Sequence, residues 1–138
     1  MEDMATGEIR VSILWEWLHK HAPFTEADAA TGVAAGDTLT PALVARLLDE
    51  EYAKLLAAAN LDVHDDSKAT TLPIAREIVQ RAVTDPLKAP WCIDLLNLNL
   101  NNEDLAEARA RIALYLDTLR RGGGRLTADP AFTALANA

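Results

Sequence analysis

The stretch that follows Thr40-Pro41 constrains this chain more than any other. Leu43, Val44, Leu47, Leu48, Tyr52, Leu55 and Leu56 recur at intervals of three and four residues, while Asp49, Glu50 and Lys54 fall on the other side. That spacing predicts an amphipathic helix with a broad apolar stripe. Thr40 supplies a hydroxyl for the free amides of the first turn, and Pro41 occupies the first helical position, where a missing N–H is no loss. A helix with so wide an apolar face must lie against others, and the composition agrees. Half of the 138 residues are apolar, mostly Ala and Leu, with three Trp, two Tyr and two Phe, and the β-branched residues are scattered. The expectation is one all-α domain, a bundle of four to five helices over residues 1–121, followed by a Gly-rich turn and tail at 122–138.

Other helices are legible around this one. Ile9, Ile13 and Trp17 recur every four residues from about Thr6 to Lys20, with Leu14 and Leu18 beside them, so one face of a first helix is expected to be buried. His19, Lys20 and His21 suit its carboxyl end, and Pro23 discourages continuation. Residues 24–39 contain Gly32 and Gly36 and show neither stripe nor alternation, which predicts a loop. Thr71 with Pro73 resembles another cap and first turn, ahead of Ile74, Ile78, Val79, Ala82 and Val83. The segment from Trp91 to Leu100, where Leu96, Leu98 and Leu100 alternate with Asn97 and Asn99, reads as a short helix or an extended run. Asn101 or Asn102 is the expected cap of a last helix with an acidic first turn, Glu103 and Asp104, and a stripe through Leu105, Ala108, Ile112, Tyr115, Leu116 and Leu119.

Charge narrows the function classes. A formal net charge of -8 repels phosphate backbones and anionic lipid heads, and no basic cluster exceeds Arg120-Arg121, so neither nucleic acid nor membrane is an expected partner. No apolar run approaches the roughly 20 residues that span a bilayer. The N-terminus has no basic start and apolar centre of a signal peptide, and the single Cys92 suits a reducing compartment. A cytoplasmic location is the expectation.

At the amino end, Met1-Glu2-Asp3-Met4-Ala5-Thr6-Gly7-Glu8-Ile9 and then Leu14-Trp15-Glu16-Trp17-Leu18-His19-Lys20 resemble the start of the C-terminal domain of malate synthase. That family carries an E-D-x-A-T-x-x-I pattern and then an apolar-W-x-W-apolar-H helix. The similarity continues through Thr40-Pro41-Ala42-Leu43-Val44, Leu47-Leu48-Asp49-Glu50-Glu51 and Ala75-Arg76-Glu77-Ile78-Val79, covering about residues 1–100. Where the family often has Ser-Arg after the isoleucine, this chain has Arg10-Val11. The resemblance implies a helical plug acting with a β/α barrel domain or chain in the condensation of acetyl-CoA with glyoxylate to malate. Asp3 would be the catalytic base, with Glu2 and Thr6 as supporting residues. Magnesium and acetyl-CoA would be held with the barrel and not by this chain, which alone would be inactive.

Trp15 and Trp17 are two residues apart and cannot share a narrow helix face. Either one packs in the core while the other meets a second surface, such as the barrel, or both lie at the margins of one broad stripe. A face adapted to a partner predicts self-association of the isolated domain. His64, Asp65 and Asp66 read as a solvated loop in preference to a metal site, since three adjacent residues rarely converge on one ion. Cys92 reads as a buried thiol, and His19 and His21 as helix-end groups. A different class of function, a non-catalytic helical protein-interaction module derived from the same fold, would use residues 103–138 as a docking element.

Overall fold

The computed structural model of the chain describes residues 4–59, 68–89 and 92–122, and these form five helices in the order α1 (Met4–His19), α2 (Pro41–Ala59), α3 (Lys68–Thr84), α4 (Ile93–Leu98) and α5 (Leu105–Arg121). No strand occurs among the described residues, and the all-α bundle expected from the helical periodicities is the architecture observed. His64, Asp65 and Asp66 and the tail from 123 onward lie outside the described residues.

Helix α3 is central: it packs against α1, α2, α4 and α5. Its sequence allows this because it carries apolar residues on two sides. Ile74, Ile78 and Ala82, spaced by four, enter a core with Cys92, Leu95 of α4 and Ala108, Ile112, Tyr115, Leu116 and Leu119 of α5. Val83 enters a second core with Leu18 of α1, Leu39 at the end of the 24–39 loop and Val44 of α2, with Val79 packed against its edge. Val11 of α1 is packed against both cores.

The helix ends follow local chemistry, with two departures from the sequence reading. Thr40 accepts a hydrogen bond on its hydroxyl from the Leu43 N–H at 3.1 Å, the cap expected for α2. Helix α3, by contrast, starts at Lys68, so that Pro73 lies inside it and Thr71 is not the cap. The proline, sixth residue of the helix, removes one rung of the ladder in its second turn. The α5 cap is Asp104, whose carboxylate accepts from the N–H groups of Ala106 and Glu107, and neither Asn101 nor Asn102 serves. Asn101 instead takes a left-handed turn, at φ 63°, and the buried Asn102 donates to Asn99 Oδ1 and accepts from the Asp104 N–H. These asparagines build the corner that presents Asp104 to α5.

Residues 24–39 form the expected loop, tightened by isolated antiparallel bridges between Pro23 and Thr38 and between Asp28 and Val33. Gly36 turns the chain at φ 91°, which places its N–H on the Phe24 carbonyl. His21, also left-handed at φ 52°, turns the backbone away after α1, before Pro23 is reached.

Candidate functional site

The site that the sequence points to is the amino end and outer face of α1. Glu2 and Asp3 lie outside the described residues; Asp3 is the second residue before Ala5 and immediately precedes Met4, where α1 begins. Thr6 is half-buried in the first turn.

The structure divides the apolar residues of α1 differently from the expected stripe. Val11, Leu14, Trp15 and Leu18, at the i, i+3, i+4, i+7 spacing of one helix face, turn inward, and Leu18 is buried. Ile9, Ile13 and Trp17 turn outward and are 60%, 40% and 46% exposed. The row read as the buried face is therefore a ridge on the surface. Two shallow grooves flank it. One, of about 290 Å³, lies between α1 and the segment that joins α3 to α4, with Glu8, Ser12, Trp15, Lys88 and Cys92 in its lining. The other, of about 270 Å³, lies between α1, the 24–39 loop and α2, lined by Leu14, Trp17, Phe24, Leu39, Leu43 and Leu47.

The two tryptophans separate: Trp15 turns inward without entering either core, and Trp17 turns outward. Trp15 is half-buried, stacks on His19 with centroids 4.1 Å apart, and donates its indole N–H to the Asp85 carbonyl at 2.9 Å. Trp17 is exposed on the ridge. His19 Nδ1 lies 2.9 Å from the Trp15 carbonyl, as a helix-end group should. Beneath Trp15, the buried Asp85 carboxylate accepts two hydrogen bonds from Arg120, at 3.0 and 3.2 Å, and one from the Leu87 N–H. Asp85 thus ties α1, the end of α3 and the end of α5 together. At the rim, Glu16 accepts from Lys20 and from Lys88, and Lys88 also lies 5.7 Å from the Trp15 ring centroid. The hydrogen bond from Lys20, then that from Lys88, hold the Glu16 carboxyl at about 2.

At the amino-terminal end of the first groove the Glu8 carboxylate reaches across to α4. Its two oxygens accept from the N–H groups of Cys92 and Ile93, at 2.7 and 2.9 Å. The Cys92 thiol is buried beside it; burial, reinforced by the Glu8 charge, pushes it up to about 11. That is the inert thiol expected from the sequence. Tyr115, also buried, donates to Asp94 at 3.2 Å, and burial raises its phenol well above the usual range. Glu8, Asp85 and Lys88 carried no signal by sequence spacing, because the partners that tie them to the rest of the fold are 35 to 85 residues away.

No group of three or more His, Cys, Asp or Glu able to hold a metal ion occurs among the described residues, and no described helix is long and apolar enough to cross a membrane.

Comparison with protein families matches residues 1–94 to malate synthase, C-terminal. The chain belongs to the malate synthase C-terminal domain family. The match spans α1, α2, α3 and the start of α4, and it ends before α5. Neither the curated proteins nor the solved structures yielded a match.

Proposed function

We propose that this chain is the base-delivering domain of a malate synthase: docked on a β/α barrel, domain or separate chain, it presents Asp3 to acetyl-CoA during condensation with glyoxylate. The observation that carries this reading is the family match beginning at residue 1, which takes in Asp3, together with a helix whose outward face is an apolar ridge. A methyl group beside a thioester is a very weak acid. Its proton is removed at a useful rate only by a carboxylate held against it, while positive charge meets the enolate oxygen. Asp3 takes that proton in this reading, the resulting carbon nucleophile attacks the aldehyde carbon of glyoxylate, the new alkoxide is protonated, and water then cleaves the thioester to release malate and CoA. Magnesium, when bound in the barrel, supplies positive charge to the oxygens. Glu2 and Thr6 orient the base.

The electrostatics of Asp3 then depend on docking. The amino end of α1 bears partial positive charge, which lowers the basicity of a carboxylate there; covering by the barrel raises it again. The exposed ridge of Ile9, Ile13 and Trp17 is the surface of α1 offered to that barrel. The interaction-module reading relied on residues 103–138 as a docking element, but α5 carries five fully buried core residues, Ala108, Ile112, Tyr115, Leu116 and Leu119, and is part of the domain's interior.

The test is malate formation from acetyl-CoA and glyoxylate with magnesium, for the chain alone and mixed with a malate synthase barrel lacking its own C-terminal domain. Turnover is expected only in the mixture. Asp3→Asn should reduce it by at least about 100-fold, the scale of a general base, while the helical circular dichroism is unchanged. Turnover that survives Asp3→Asn removes the assignment.

A further inference from the structure

Helix α1 is held unevenly along its length. From Val11 onward it packs on both cores, but in its first two turns Ala5, Gly7 and Ile9 are exposed, and a Cβ added at Gly7 would meet nothing within 4 Å. From Val11 back to Met4 this amounts to a lever of about 10 Å at 1.5 Å per residue, and a tilt of about 10° would displace its tip by about 2 Å. Midway along that lever, Glu8 spans to α4 and accepts from two consecutive backbone amides. Both amides need it: Cys92, at the cap position of α4, makes no side-chain cap and is already helical at φ -62°, ψ -24°.

We propose that Glu8 is a positioning residue, whose clamp on the Cys92 and Ile93 amides sets where the foot of α1, and with it Asp3, stands over the reacting centre. This rests on the reading of Asp3 as the base. Glu8 itself touches no substrate. Catalytic geometry is unforgiving of ångström displacements, so loosening the clamp acts on the chemical step far more than on acetyl-CoA binding by the barrel.

The experiment compares the wild-type chain with Glu8→Gln, Glu8→Ala and a control, Thr40→Ala, which loses a helix cap on α2 away from the clamp. Hydrogen exchange of the Cys92 and Ile93 amides is followed by NMR in the full chain alone, and kcat and KM are measured with the barrel. In Glu8→Gln the two amides should exchange at least about 10-fold faster, and kcat should fall about 10- to 100-fold with KM for acetyl-CoA within two-fold. Glu8→Ala should do the same or more, and Thr40→Ala should leave kcat unchanged. Unchanged exchange in both Glu8 variants overturns the clamp. Faster exchange with kcat kept within two-fold overturns the positioning role alone, and an equal fall of kcat in Thr40→Ala reduces it to general stability. A wild-type mixture that makes no malate overturns the base reading, and the positioning role with it, while the exchange result still reports whether the clamp exists.

Discussion

Asp85 shows how a single residue acquires its role from distant partners. In sequence it is half of an Asp-Pro chain break; in the fold it is a buried carboxylate, satisfied by Arg120 and by the Leu87 N–H, with its carbonyl under Trp15. A buried charge left unpaired is costly, so the Arg120 contact is what permits Asp85 to be there at all. Glu16 is the residue whose pairing is open to a pH test. Its folded carboxyl titrates at about 2 against an ordinary 4.5, through Lys20 and then Lys88. Because the folded value is the lower one, the stabilisation is complete above pH 4.5 and is lost as the pH falls toward 2. The group lies at the rim, where solvent screens it, so the effect is small. The stability difference between wild type and Glu16→Gln should therefore shrink over that interval in acid titrations of urea unfolding. A difference that stays constant from pH 6 to pH 2 would show that the two lysines do not hold this carboxylate. Neither Asp85 nor Glu16 was legible as a hub, since nothing in residues 10 to 20 indicates that Lys88 will stand beside them.

At the scale of elements, legibility followed the strength of the local code. Helix α2 has a cap, a proline at its first position and a long stripe, and it begins where those signals place it. Helix α5 exists where its stripe predicts, but its cap moved to Asp104, because the asparagines before it are engaged in their own corner. Asp104→Ala should therefore destabilise the domain by about 1 kcal/mol, the usual worth of a carboxylate cap, read from urea or thermal unfolding. No loss would mean that the Ala106 and Glu107 amides find water instead. Between Trp91 and Leu100 the alternation of leucines suggested an extended run as readily as a helix. The outcome is a helix because Leu95, a residue outside that alternation, is the one that enters the core, leaving Leu96 and Leu100 exposed. Helix α1 was located within two residues but its face was misjudged. Apolar residues on the inner side and on the ridge are chemically alike, and periodicity alone does not distinguish a row facing its own domain from a row facing another.

For the whole molecule, that ridge is the consequential feature. With Ile9, Ile13 and Trp17 in line and apolar grooves on both sides, the isolated domain should self-associate with rising concentration. Sedimentation velocity of the wild type and of Ile13→Glu/Trp17→Glu checks this: the double variant should remain monomeric at concentrations where the wild type shifts, with unchanged helicity. If both sediment alike, the ridge is not a sticky surface. Membership of the malate synthase C-terminal family and the helical class both follow from the sequence by itself, because motifs and amphipathic periods are local properties written in consecutive residues. The choice of which α1 face turns inward, the clamp from Glu8 to α4, the Asp85 hub and the place of α5 in the core were decided only by tertiary structure. Each depends on groups tens of residues apart meeting in a packed interior, where burial selects among local options that the chain leaves equal.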